Sequence, residues 1–142
     1  MNGGQINWTV LFLSSTGRLP RFPFLVAMAL ILTALILFES AVPEVLRWTT
    51  ALAVYPGLLF VSACVLSKRL HDRGRSGWWA ALILLAFAVV WQQRGNIILA
   101  LFVLVVIWAA VELGLMPGEE GANRFGPNPQ GAATPGLSNP SV

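Results

Sequence analysis

The sequence predicts an all-α membrane protein, a four-helix transmembrane bundle built from two hairpins. Three observations carry that reading. Of its 142 residues 56% are hydrophobic and 11% charged, whereas soluble domains carry about 25% charged residues. Four stretches of roughly 17 to 20 residues lack Asp, Glu, Lys and Arg, near the ~20 that a helix needs to cross the hydrocarbon. The charges collect between those stretches. Residues 66–79 alone hold Lys68, Arg69, Arg73 and Arg75, the one histidine (His71) and the one aspartate (Asp72).

Composition also excludes several classes. A mean hydropathy of +0.72 leaves a soluble globule too little polar surface to cover itself. The net charge of +3 comes from basic residues at the ends of apolar runs, which suits an anionic lipid surface. No basic stripe of the kind that enters a nucleic-acid groove is present, so no nucleic-acid partner is expected. Cys64 is the sole cysteine, which rules out an internal disulfide and a thiolate metal cluster.

Residues 1–15 carry no charge and lack the basic leader of a secretory signal. Trp8, Leu11, Phe12 and Ser15 recur at helical spacing, so a short interfacial segment is expected there. Gly17, Arg18, Pro20 and Arg21 then break regular structure. The first span is read over about 22–42, with Pro23 in the first turn, where its missing N–H costs nothing. The second covers 48–67 and contains Pro56, which is expected to bend it. Ser62, Ala63 and Cys64 are small enough for a neighbouring helix to approach closely. The third covers 76–93, with Trp78, Trp79 and Trp91 as interfacial anchors, and the fourth 96–116, after a turn at 92–96. The tail from 117 to 142 is rich in Gly and Pro. It is expected to be disordered after about 130, with a fixed turn around Asn123–Pro129.

Orientation follows from counting cations. Arg18, Arg21, Lys68, Arg69, Arg73, Arg75 and Arg124 fall on one side of the bundle and only Arg47 and Arg94 on the other. Positive residues stay inside, which puts both termini and the central loop in the cytoplasm.

Within that central stretch, Lys68 and Arg69 complement the end dipole of the second helix. Asp72 can pair with Arg69 or Lys68, Gly74 and Gly77 permit the turn, and Ser76 can cap the third helix. His71 beside Asp72 suggests acid/base chemistry, but neighbours on a helix point to different faces, so a dyad is disfavoured. One His, one Cys and one Asp do not make a zinc set. A single aspartate does not hold the metal ions of membrane phosphotransfer. No catalytic residue, metal or cofactor is therefore assigned. Glu112, acidic in an apolar segment, marks an intramembrane functional site or an ion pair. Arg69 or Arg75 is its natural partner, and an ion pair tying the fourth helix to the central stretch is preferred to a proton relay.

Three segments resemble a known family: Gly17–Phe24, Lys68–Trp79 with its Arg-Leu-His-Asp core and Ser-Gly-Trp-Trp end, and Gly121–Pro129. In order and spacing they are similar to the YhaH-like bacterial inner-membrane proteins grouped as domain of unknown function 805. The resemblance covers residues 8–129. It departs at Pro23, where the family usually has an acidic residue, and at Leu25, where tryptophan is frequent. It implies a multi-pass protein of the bacterial plasma (inner) membrane and no particular reaction.

The expectation is a non-enzymatic platform that holds anionic headgroups or a protein partner at its cytoplasmic face. Its surface comprises Gly17, Arg18, Arg21, Arg69, His71, Asp72, Arg73, Gly74, Ser76, Gly77, Trp78, Trp79, Asn123, Arg124, Phe125, Gly126 and Pro127, and four thin spans favour self-association. The alternative is a small-solute transporter or oligomeric channel using Glu112 and the Pro56 kink. An enzyme using His71 stands third.

Overall fold

A computed structural model describes residues 8–92 and 97–129, and every regular element in them is helical. The expected polar turn with Arg94, and the tail beyond Pro129, lie outside the described residues. Helix α1 spans Trp8–Leu13, α2 Arg21–Ala41, α3 Glu44–Asp72, α4 Trp79–Gln92 and α5 Ile97–Ala109, which runs on as a π-helical turn over Ala110–Leu115.

Proline and glycine set the boundaries. Pro20 is the extended N-cap of α2. Pro43 follows α2 and precedes Glu44, whose carboxylate in the first turn of α3 suits the helix dipole. Helix α3 runs 29 residues, through Pro56, or about 43 Å at 1.5 Å per residue. It stops in a Schellman motif: Gly74 N–H bonds His71 O at 3.0 Å, Arg75 N–H bonds Leu70 O at 2.8 Å, and Gly74 takes a φ of 65°.

That stop lies beyond the expected end of the second span at Ser67. Lys68, Arg69, Leu70, His71 and Asp72 are helical rather than part of a loop, because the break signal is Gly74 and not the first charge. Helix α3 is also the axis of the packing. It contacts α1, α2 and α4; α4 pairs with α5, and the π turn returns to α2. The core is densest where these meet, around Leu19, Phe24, Ala27, Val65, Leu70 and Leu113.

Helices α2 and α3 are long and apolar enough to cross a membrane. In the most apolar stretch of each, only 17% and 22% of residues are buried, the opposite of a core helix in a soluble domain. Leu30, Ile36, Leu37, Leu52 and Phe60 face outward, a larger apolar exposure than water-soluble monomers carry.

Candidate functional site

The motif-bearing segments converge at one end of the helices, around the last turns of α3. Residues 62–72 are buried apart from Ala63 and His71, which are half-buried. Arg69 is fully buried at 0% exposure and Asp72 at 3%.

Asp72 is held by two arginines. Arg69 reaches its Oδ2 at 2.5 Å from one turn earlier on the same helix, and Arg18 Nε reaches Oδ1 at 3.0 Å from the α1–α2 connection. Arg69 spends its remaining donors on backbone carbonyls: Leu113 at 2.8 Å, Leu19 at 3.3 Å and Met116 at 2.6 Å. Its guanidinium also lies 5.9 Å from the centre of the Phe24 ring. One side chain thus joins the start of α2, the end of α3 and the end of the π turn. The carbonyls after a helix's last turn lack partners within the helix, so a cation there satisfies them and meets the negative end of the dipole.

Arg18 does the same for the tail. It donates to Gly121 O and Glu119 O, both at 2.6 Å, and its side chain is 1% exposed. The tail backbone locks on as well, with Glu119 N–H bonding Asp72 O at 2.8 Å. Gly118 passes so close that a Cβ there would collide with the Asp72 carboxylate, and one on Gly74 would collide with that of Glu119. Asp72 is pinned by two arginines and cannot yield, which requires glycine at 118, while at 74 the positive φ favours it.

Asn123 organises the tail turn. Its Oδ1 accepts from Phe125 N–H at 2.9 Å, its Nδ2 donates to His71 O at 2.9 Å, and it bridges to Gly126 through two 3.0 Å backbone bonds. The turn lays Phe125 flat on His71, with ring centres 3.8 Å apart and planes 8° from parallel. Arg124 stands over Phe125 at 4.7 Å and reaches Gly74 O.

A second charge cluster ties down the π turn. Glu112 Oε1 accepts from Arg73 at 3.0 Å and from Arg75 at 3.3 Å. Arg73 also donates to Pro117 O at 2.5 Å, and Arg75 packs 5.4 Å over the Trp108 ring. Lys68 points elsewhere, to the carbonyls of Val10 and Leu11 near the end of α1. Arg21 reaches Leu115 O at 3.1 Å.

The expected set therefore comes together, but in two layers. Arg18, Arg69 and Asp72 are interior groups, the arginines donating to protein and the carboxylate accepting from both, so they do not present an outward surface: a buried charge needs a partner, and here the charged partners are one another. Arg21, Arg124, Trp78 and Trp79 are exposed, and Arg75 is 40% exposed at its side chain. These form the rim, with Trp79 the first residue of α4 and Ser76, Gly77 and Trp78 just before it. Pro127 is exposed at the end of the tail turn. Asp72 does not orient His71, whose Nδ1 meets Gly17 O at 3.2 Å. Of the two candidate partners for Glu112, Arg75 meets it and Arg69 does not, and Arg73 joins as a further partner.

The sequence reading missed Gly118, Glu119 and the anchoring of α1 by Lys68. Glu119 was open to recognition as one of only six acidic residues, lying in a chain whose cations gather in three motifs. Among the described residues, no three His, Cys, Asp or Glu side chains gather in a metal-binding group.

Comparison with known proteins places this arrangement. The chain is 34% identical over 128 residues to the uncharacterized protein YiiR of Escherichia coli K12, covering 82% of this chain and 86% of that protein. The same values hold for YiiR of Escherichia coli O157:H7. No solved structure matches. The family model described as a protein of unknown function, DUF805, matches residues 12–127, which takes in the first two motif segments and the third as far as Pro127, and the chain belongs to that family.

Proposed function

We propose that the protein is a multi-pass component of the bacterial plasma membrane, a four-span bundle of two hairpins with both termini in the cytoplasm, whose motif end binds anionic lipid headgroups without catalysing a reaction. One observation carries this reading. The interior arginines are consumed in holding the fold, while Arg21 and Arg124 are exposed and, among the described residues, bond to backbone carbonyls and, for Arg124, to the Phe125 ring. Cations so placed at the end of apolar helices meet lipid phosphates, each worth about 1 kcal/mol near the surface. Trp78 and Trp79 beside them set the depth, as aromatic residues do at membrane boundaries.

All seven cations assigned to the inner side lie in this one connected region, whereas Arg47 lies at the opposite end of α3, against Glu39. That separation supports the cytoplasmic orientation. A fluorescent protein fused at the C-terminus should fluoresce and an alkaline phosphatase fusion there should be inactive; the reverse pattern refutes the orientation. For the function, lipids copurifying with the protein should be enriched in anionic species, and Arg21→Gln with Arg124→Gln should remove most of the enrichment. Equal enrichment in the double variant would refute headgroup binding by the rim. Nothing specific favours a transporter, since Glu112 is engaged by two arginines next to the motif end.

A further inference from the structure

A groove of about 760 Å³ runs between α3 and α4. On the α3 side it is floored by Leu59, Ala63, Ser67 and His71, an unbroken i, i+4 ladder and hence one stripe of the helix. Gly77, Ala81 and Ala88 line the other side. Small side chains on both sides leave the space between them unfilled, and the exposed Leu85 forms a lip open to the side.

The groove has a polarity gradient. Its motif end holds His71, Ser67, Ser76 and Ser15, while the rest is apolar. From His71 to Leu59 is twelve residues, a rise of about 18 Å. One leaflet of the hydrocarbon is about 15 Å thick, half of a ~30 Å core. Length and gradient thus match a single acyl chain that enters from the headgroup level and ends near the midplane.

The polar end adds chemistry. A carbonyl can only accept, so the bond to Gly17 O fixes the His71 proton on Nδ1 and leaves Nε2 of the neutral ring as an acceptor. Nε2 lies at the groove wall, where a Cβ on Gly77 would come within 3.1 Å of it. An acceptor there calls for a hydroxyl, and Arg124, over the Phe125 ring that also lines the groove, calls for a phosphate.

We propose that the α3–α4 groove seats one acyl chain of an anionic glycerophospholipid with a hydroxylated headgroup, a phosphatidylglycerol, whose hydroxyl meets His71 Nε2. This deepens the proposed function and rests on it. The full chain in detergent is titrated with phosphatidylglycerol, phosphatidic acid and phosphatidylcholine of the same acyl chains, and bound lipid is counted by native mass spectrometry. The wild type should retain one tight phosphatidylglycerol. Ala63→Phe with Ala81→Phe, which fill the groove, should weaken it about tenfold or more, equivalent to about 1.4 kcal/mol, while Leu30→Phe on the exposed face of α2 should leave it unchanged. His71→Phe keeps the stack and should reduce the preference over phosphatidic acid about fivefold, as for one lost hydrogen bond.

Equal affinity for phosphatidylcholine in the wild type would overturn the anionic-lipid reading. A preference retained in the filled groove would overturn the groove alone. So would a delipidated dimer that the Ala63→Phe, Ala81→Phe chain loses, because a second copy would then be the occupant. If the filled variant fails to fold, the wild type decides. Phosphatidylglycerol bearing a photoreactive diazirine on its acyl chain should label residues 59–67 and 80–88, and labelling spread evenly over α2 and α5 would overturn the proposal.

Discussion

The two ends of α3 carry the same kinds of side chain under opposite conditions. At its start, Arg47 lies 3.6 Å from the Glu39 carboxylate, with the two side chains 30% and 28% exposed, and the Tyr55 hydroxyl donates to the same carboxylate. At its end, Arg69 and Arg18 grip Asp72 with almost nothing exposed, and each arginine also holds backbone carbonyls from distant segments. The first pair joins neighbours across one short turn. The second joins four pieces of chain. Desolvation makes the difference, since an exposed pair gains about 0–1 kcal/mol, whereas breaking a buried one strands a charge and costs about 3–5 kcal/mol. Cations are therefore structural cement at one end and accessory at the other.

The sharpest way to break that contrast is Asp72→Ala, which leaves Arg69 and Arg18 buried without a counter-charge. Denaturant unfolding in mixed micelles should show a loss of about 3–5 kcal/mol, with the tail becoming protease-sensitive. Glu112→Ala releases Arg73 and Arg75, which can turn to solvent in part, so a loss of about 1–3 kcal/mol is expected by the same assay. A similar cost, about 1–3 kcal/mol, is expected for Gly118→Ala, because its Cβ meets the Asp72 carboxylate. Hydrogen exchange should then rise in residues 117–126 before it rises in α2. The smallest effect belongs to Glu39→Gln at the opposite end, under about 1 kcal/mol. If Glu39→Gln cost as much as Asp72→Ala, the two ends would not differ as described.

Much of the helical layout was legible because it rests on local signals. Charge-free runs, Pro20, Pro43 and Gly74 mark the starts and stops of α2 and α3, and each acts within a few residues of itself. Helix α3 continues past Ser67 to Asp72, although a run of charge reads as a loop when its partners are unseen. Apart from Asp72 on the same helix, the partners of Lys68 and Arg69 lie in segments that sequence spacing does not connect to α3, so the helix can keep its charges inside. The motif residues were likewise legible as a set, but not in their division into interior and rim. His71 illustrates the point: its neighbour Asp72 is one residue away, yet its contacts are Gly17 and Phe125, 54 residues before it and after it.

Composition and hydropathy alone determined that this chain is helical, apolar and charged at discrete points, because those properties are sums over neighbouring residues. Tertiary structure alone decided which charges meet. Asp72 had Lys68 and Arg69 within one helical turn, yet Arg18 became its second partner while Lys68 went to α1. That choice depends on which faces of α3 the α1–α2 connection and the tail cover. Packing over separations of 50 to 100 residues sets it, and no local periodicity encodes it.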